Sequence, residues 1–294
     1  MKRSIWKKIL LFVAALFVFL YIVAPFSWVV ITSLMSETEA SSVPPHWIPD
    51  NPTLKNYALF VTGGKGGEAA KTSDAWSPQS VKRLPVAFRN SSIVAISVAL
   101  LNLSMGAPAA YALARLRFRG SNLMLMGYLF SRMLPGLSLI IPMYLIIRKL
   151  GLLDTLPGLV LPYTALTLPF TIWILRSYFM TLPRELEDAA KVDRCNWFNM
   201  MWRVFLPVAA PGLVASAMFS FMASWKEFLF ALIFSSSMAA KTVPVIVAEF
   251  NDPQVVPRTI MNASGVVAVI PPLLLAVLFQ RLIIQGLVAG SVKG

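Results

Sequence analysis

Cysteine and histidine are almost missing from this sequence, which contains only Cys195 and His46. A single cysteine cannot form a disulfide within the chain, and a single histidine cannot build the clusters that hold transition metals. A catalytic site would need a nucleophile with its base, or a metal constellation. The sequence therefore predicts no catalytic residues, no metal site and no cofactor.

Acidic residues are also scarce, since 13 Asp and Glu stand against 26 Lys and Arg and leave a net charge of +13. The basic residues are spread between apolar runs and do not gather on one arm, which argues against a nucleic-acid partner. Only 13% of the 294 residues are charged and 57% are hydrophobic. That balance predicts an integral membrane protein rather than a soluble domain.

Long apolar runs divide the chain into six predicted transmembrane helices, so the predicted fold class is all-α. The runs are 9–34, 90–114, 122–147, 156–180, 208–234 and 263–284. The first run is too long for a signal peptide and no cleavage site follows it, which predicts an uncleaved span. Basic residues before this run and within 115–119 place both termini and the 181–207 segment in the cytoplasm, with 35–89 as an external loop.

The densest patch of charge is Thr181–Leu213, between the fourth and fifth runs. One charge at mid-bilayer costs roughly 2.5 to 3.5 kcal/mol on insertion scales, so this segment belongs in water. Acidic residues near its start and Lys191 four residues after Glu187 favour a helix over 182–192. An amphipathic hairpin resting on the bilayer and a helix lying in a groove of another protein both fit this pattern.

Within this segment, DAAKVDRCNWFNMMWRVFLPVAAP resembles the "EAA" signature of binding-protein-dependent ABC importer permeases. The matching positions are Asp188, Ala189, Ala190, Asp193, Leu206, Pro207 and Pro211. Asp188 replaces the usual glutamate and Arg194 replaces the usual glycine at the turn. Because arginine does not adopt a positive φ cheaply, we expect the turn at Arg194 to differ in shape from the family pattern.

The resemblance extends to four other places: PPHWIPDNPTLKNY, AYALARLRFRG, SWKEFLFALIF and the tail QGLVAGSVKG. It implies the six-helix type I ABC importer (MetI-like) permease fold as one domain, 1–294, with a core over 90–284 and a cytoplasmic tail at 285–294. It also implies that the 181–207 loop docks on an ATPase subunit. The docking residues would be Leu186, Asp188, Ala189, Ala190, Asp193 and Arg194.

The tail is similar to that of the smaller permease subunit of maltose-type importers. This implies a multi-pass protein of the cytoplasmic (inner) membrane that imports maltose, maltodextrin, trehalose or a similar sugar and does not itself hydrolyse ATP. The implied partners are a dimer of ABC ATPase subunits, a second homologous permease, an extracytoplasmic solute-binding protein, the sugar and membrane lipid. A permease for glycerol phosphate or another small solute, or a secondary transporter, is the alternative.

Three residues inside apolar runs are candidates for the substrate path: Arg132, Trp225 and Glu227. Ionisable residues within a membrane usually mark functional sites, and an indole can stack on a sugar face. Arg132 could instead reach the membrane surface or pair with another helix end, and Glu227 could belong to a charge pair between helices. The sequence leaves these alternatives open.

Overall fold

The computed structural model describes residues 2–62, 78–116, 118–131, 133–250 and 256–291. Every regular element in these ranges is a helix, which confirms the predicted all-α class. The elements are α1 (Lys2–Ser33), α2 (Glu37–Ala40), α3 (Lys55–Thr62), α4 (Pro78–Arg115), α5 (Ser121–Ser131), α6 (Gly136–Lys149), α7 (Leu156–Thr181), α8 (Glu185–Val192), α9 (Trp197–Met200), a π-helical turn (Met201–Phe205), α10 (Leu206–Val208), α11 (Ala210–Trp225), α12 (Leu229–Phe234), α13 (Val243–Glu249) and α14 (Arg258–Ser291).

The described residues form two compact units, Met1–Pro85 with Ile246–Ile270, and Val86–Val245 with Pro271–Gly294. In the first unit, α1 exposes apolar side chains along most of its length, as a helix surrounded by lipid does. The side-chain amide of Asn56 donates to the carbonyls of Ser33 and Met35, at 2.8 and 3.1 Å, and so satisfies the free end of α1. Glu37 accepts the backbone N–H groups of Arg258 and Thr259, both at 3.1 Å, and caps the start of α14.

The first unit also brings together three polar side chains that the sequence did not predict to meet. His46 Nδ1 lies 3.1 Å from Asp50 Oδ2 and 4.0 Å from Glu39 Oε1. The Glu39 carboxylate also accepts the backbone N–H of Asp50 at 2.6 Å. These contacts hold the two ends of the 39–50 loop together.

In the second unit, two buried clusters join the long helices. The Tyr163 cluster contains Val94 and Val98 of α4, Ile147 of α6, Tyr163 of α7, and Phe230 and Phe234 of α12. The Tyr111 cluster contains Tyr111 of α4, Leu175 and Phe179 of α7, Ala190 of α8, and Met200, Met201 and Phe205. The charged segment, which forms a hairpin from α8 to Phe205 and is called the charged hairpin below, is therefore packed into the same core as α4 and α7, two of the predicted membrane helices.

Four helical stretches of the described residues are long and apolar enough to cross a bilayer: Ile5–Ser33, Lys82–Arg115, Leu156–Thr181 and Arg258–Leu282. The pair Trp197–Val208 and Ala210–Trp225, bent by 82°, would add a fifth span. The predicted third span is divided into α5 and α6, of 11 and 14 residues. The count of six and the cytoplasmic termini remain predictions.

The predicted fourth span agrees with α7 to within one residue, because its start is encoded locally. Thr155 accepts the backbone N–H of Gly158 at 3.2 Å as the cap, and proline occupies the first turn. The predicted fifth span is instead broken between Trp225 and Leu229, into α11 and α12.

Candidate functional site: the charged hairpin and its supports

The charged segment forms the predicted helix, turn and second helix. In α8 the first turn carries Glu185, Glu187 and Asp188, which face the positive end of the helix dipole. Lys191 lies 3.1 Å from Glu187 and 3.8 Å from Asp188. Ion pairs of this kind on a helix surface contribute little stability, about 0.3 to 0.5 kcal/mol each. The fold of the hairpin must therefore rest on its buried side.

That buried side is built around Ala190, which is only 4% exposed. Its neighbours in the Tyr111 cluster include an aromatic trio from α4, α7 and the π-helical turn. The rings of Tyr111 and Phe205 meet edge to face at 4.9 Å, and Phe179 lies 6.2 Å from both. Edge-to-face aromatic pairs add about 0.5–1.5 kcal/mol beyond the area that they bury. Through this cluster α8 is packed on α4 and α7.

Arg115, at the end of α4, makes a second set of contacts that hold the charged hairpin on this helix. Its Nη2 donates to the carbonyl of Leu182 at 2.6 Å, and its guanidinium lies 5.7 Å from the centre of the Phe205 ring. The first contact holds the chain where it leaves α7, and the second is a cation–π contact. The Tyr111 hydroxyl also interacts with the Glu187 carboxylate. The start of α8 is therefore anchored on α4.

The opposite side of α8 is open. Asp188, Ala189, Asp193 and Arg194 are exposed, and Val192 is 81% exposed. Of the six predicted docking residues, the structure therefore presents four on the surface, while Leu186 is half-buried and Ala190 is buried. An apolar residue among charges on a fixed helix is suited to contact with another protein.

The turn after α8 corrects one expectation. Arg194 adopts a φ of +53°, the left-handed conformation that glycine favours, so the arginine does not force the different shape expected from the sequence. The Cys195 N–H donates to the carbonyl of Ala190 at 2.9 Å and the Arg194 N–H to that of Lys191 at 3.0 Å. These two bonds form a Schellman motif, which requires the left-handed residue at this position. The backbone bonds outweigh the local cost of placing arginine there.

The second half of the hairpin is amphipathic, as predicted. Asn196 caps it by accepting the backbone N–H of Asn199 at 2.8 Å. Trp197, Phe198 and Trp202 are exposed, which is typical of aromatic residues at a membrane surface. They line an apolar pocket of about 580 Å³ together with residues of α4 such as Leu103. The sequence did not predict the π-helical turn that precedes Pro207.

Two of the three candidates for a substrate path, Trp225 and Glu227, lie within the described residues, and both make internal contacts. Trp225 is 4% exposed and its ring stacks on Phe221 at 5.6 Å. Glu227 accepts the backbone N–H groups of Phe230 and Ala231, at 3.0 and 3.1 Å, and the hydroxyl of Tyr163 at 2.5 Å. It therefore caps α12 at the break after α11. Arg132 lies outside the described residues.

A buried network of side-chain hydrogen bonds, called the polar seam below, joins α4, α7 and α11 and was not predicted from the sequence. Asn102 Nδ2 donates to Thr167 at 2.6 Å and to Ser220 at 2.9 Å, and the hydroxyls of Thr171 and Ser220 are 3.0 Å apart. Small hydroxyl residues recur at helical spacing, as Thr164, Thr167 and Thr171 and as Ser216, Ser220 and Ser224. Such residues bring membrane helices close together and join them by hydrogen bonds. This helical spacing of Thr and Ser was the sequence signal from which the contact between these helices could have been predicted.

Known proteins resemble this chain over most of its length. A family model described as "Binding-protein-dependent transport system inner membrane component" matches residues 102–288. The trehalose/maltose transport system permease protein MalG of Thermococcus litoralis is 33% identical, with 100% of both chains covered. The sulfoquinovosyl glycerol transport system permease protein SmoH of Agrobacterium fabrum is 34% identical over 98% of this chain and 94% of its own. The trehalose transport system permease protein SugB of Mycobacterium tuberculosis is 39% identical over 70% and 76%.

Among solved structures, a bacterial ABC transporter involved in the import of the acidic polysaccharide alginate has a chain of similar fold. The TM-score is 0.74, with 20% sequence identity and 95% of each chain covered. At that identity the likeness supports the fold alone. Together with the sequence relatives, it confirms the resemblance that the "EAA"-like segment first indicated.

Proposed function

Because the chain belongs to the binding-protein-dependent transport system inner membrane components, we propose that it is the membrane-spanning permease subunit of an ATP-driven sugar importer. The observation that carries the proposal is α8, whose exposed face is free while its buried face is packed on α4 and α7. A surface helix fixed in this way can transmit the movement of a separate protein to the membrane helices. The chain itself supplies transport, and ATP hydrolysis belongs to the partner.

The docking surface for the ATPase is the exposed face of α8 and its turn, formed by Asp188, Ala189, Asp193 and Arg194. Ala190 supports this surface from behind, because its side chain is buried in the Tyr111 cluster, and Leu186 is half-buried. Ala190 thus has a positioning role, and Ala189 has a contact role. This division distinguishes two neighbouring alanines that are alike in sequence.

Six spans with both termini in the cytoplasm remain the topology that we propose. The bent pair around Ala209 counts as one span, and α5 with α6 counts as another that is interrupted near Pro135. Interrupted helices are tolerated in membranes where they are buried in protein or line a cavity. A second homologous permease would cover the remaining apolar faces, and a solute-binding protein would contact the external 35–89 segment.

The sugar would be a trehalose- or maltose-type disaccharide, as the names of two relatives suggest. Trp225 and Glu227 remain the candidates on the path, along with Arg132. In this conformation Trp225 is stacked and Glu227 is hydrogen-bonded. Access to them therefore requires the α11–α12 break to open, which is the movement that α8 would drive through α7.

The docking assignment is tested by substituting the two neighbouring alanines separately. Ala189→Leu adds bulk to the exposed face, so we expect loss of ATPase co-purification with unfolding free energy within about 0.5 kcal/mol of the wild type. Ala190→Leu overfills the core, so we expect a loss of about 1–3 kcal/mol in stability. Pull-down of the ATPase and denaturant unfolding in detergent measure the two effects. Equal ATPase binding by Ala189→Leu and the wild type would refute the docking surface.

The substrate assignment is tested in the assembled complex with its solute-binding protein. Trehalose or maltose should stimulate ATP hydrolysis, whereas an amino acid should not. If glycerol phosphate alone stimulated ATP hydrolysis, glycerol phosphate would become the assigned substrate, and the assignment as an ATP-driven importer would be unchanged. Transport that continues without any ATPase, driven by an ion gradient, would favour a secondary transporter.

A further inference from the structure

A basic pocket of about 440 Å³ lies where the chain leaves α4, and none of its lining residues belongs to the proposed docking surface. Three arginines line it: Arg115 at the end of α4, Arg119 before α5, and Arg184 before α8. The remaining lining includes Ser121 and the apolar residues Leu116 and Phe118. No acidic side chain is among the lining residues.

The positive charge of this pocket is not neutralised within the described chain. None of its salt bridges includes Arg115, Arg119 or Arg184. Arg115 is held in place through Leu182, yet its Nε has no exposed surface and no hydrogen-bond partner there. Arg119 and Arg184 are exposed, so their guanidinium groups are accessible to an incoming anionic oxygen, with which arginine forms strong charge-assisted hydrogen bonds.

The start of α5 also favours an anion in this pocket. This 11-residue helix begins at Ser121, in the lining, and its first N–H groups and helix dipole favour an anion. Gly120 precedes it with a φ of +93°, and a side chain placed there would meet no atom within 4 Å. The approach to the helix start is therefore open.

The place of this pocket in the fold and its apolar lining residues indicate which kind of anion it binds. Arg115 ends the candidate span Lys82–Arg115, so the pocket lies where a membrane helix ends. Leu116 is 51% exposed and Phe118 is 40% exposed. A soluble phosphate would use only the arginines, whereas a phospholipid would also cover these apolar side chains. We propose that this pocket binds the phosphate of an anionic phospholipid, with its acyl chains against Leu116 and Phe118.

The test is lipid binding by the full-length purified chain, measured by native mass spectrometry with phosphatidylglycerol and phosphatidylcholine. We expect preferential retention of phosphatidylglycerol. Arg119→Gln and Arg184→Gln should each weaken that binding about fivefold, because each removes one cation near the headgroup. Arg119→Lys should bind close to the wild-type level. Arg203→Gln, at an exposed arginine outside the pocket, is the matched control and should change nothing.

Three outcomes would overturn the proposal. Equal weakening by Arg203→Gln would show that only overall charge matters. Displacement of the lipid by inorganic phosphate at the lipid's own concentration would assign the pocket to a soluble phosphate. Loss of ATPase co-purification with unchanged lipid affinity would make the arginines part of a protein contact. Because lipid binding is measured without sugar or ATP, its failure would leave the importer function standing.

Discussion

The ends of α6 and α8 are closed by the same hydrogen bonds but by different residues. After α6, the N–H of Leu152 donates to Ile147 and that of Gly151 to Arg148, both at 3.0 Å. After α8, Cys195 and Arg194 make the two equivalent bonds. The left-handed residue is Gly151, with a φ of +70°, in one motif and Arg194, with a φ of +53°, in the other. The bonding pattern, and not the residue type, determines the conformation.

The two turns differ in what surrounds them. The α6 turn is fastened to its neighbours, since Asp154 accepts the N–H groups of Ser236 and Ser237, both at 2.9 Å, and the Ser237 hydroxyl. The α8 turn is held by its own backbone, and its Asp193 and Arg194 side chains are exposed. A turn with free side chains is suited to a partner, and a turn with engaged side chains is suited to holding helices together.

The largest expected effect is at Gly158, which packs against the α6 turn. A Cβ added there would lie 2.0 Å from the carbonyl oxygen of Leu152, so the backbone must shift. We expect Gly158→Ala to lower the unfolding free energy by roughly 2–3 kcal/mol, measured by denaturant titration in detergent. Gly127→Ala in α5 is the control, because its Cβ would meet nothing within 4 Å. Wild-type stability in Gly158→Ala would contradict this packing.

The next effect concerns the glycine of the α6 turn itself. Gly151→Ala places a Cβ in the left-handed region, at a site with no neighbouring atom within 4 Å, so only backbone strain changes. We expect a loss of about 1–2 kcal/mol in the same titration. Arg194→Ala is the matched control, because it exchanges one residue with a Cβ for another at a similar φ. An equal loss of unfolding free energy in Gly151→Ala and Arg194→Ala would contradict the view that only the glycine position gains backbone strain.

Acid should loosen the α6 turn through Asp154. Desolvation raises the pKa of this carboxyl, but the hydrogen bonds from Ser237 and Ser236 outweigh it and hold the pKa below its ordinary value of 3.8. The ionised form is thus favoured in the folded state, so its stabilisation is complete above that value and is lost as the pH falls through the lowered pKa. We expect Asp154→Asn to cost about 1 kcal/mol at neutral pH and progressively less in acid. A difference from the wild type that stays constant into strong acid would contradict this coupling.

The smallest expected effect is Arg194→Gly in the α8 turn. Glycine removes the left-handed strain but gains freedom in the unfolded chain, so we expect a net stabilisation of no more than about 0.5 kcal/mol. Thermal unfolding of the purified variant measures it. A large destabilisation would mean that the Arg194 side chain holds the hairpin, contrary to its exposure.

Local signals explain what could be predicted. The start of α7 follows from Thr155 and the proline after it, and α8 follows from its acidic first turn and Lys191. The division of the third span follows from Pro135 and Gly136, which stand where α6 begins. The break after Trp225 was not predicted, because 208–234 was interpreted as one span. The break depends on Glu227 reaching Tyr163, 64 residues away in sequence.

The docking residues remain a prediction from the signature, and their burial could not be predicted from it. Signature matching placed Ala189 and Ala190 together, whereas only packing against Phe205 and Tyr111 decides that the second is buried. The polar seam through Asn102 likewise needs three helices to meet before its donors find acceptors.

By itself, the sequence determined the all-α class, the charged hairpin and the family, because apolar length, local caps and a spaced signature are properties of neighbouring residues. Only the tertiary structure decided that Arg194 would take a left-handed backbone and which side of α8 would stay free. The physical reason differs for the two features. The free side of α8 is fixed by burying Ala190 against α4 and α7, and the left-handed turn is fixed by the backbone bonds to Ala190 and Lys191, which outweigh the local cost of an arginine in a glycine's conformation.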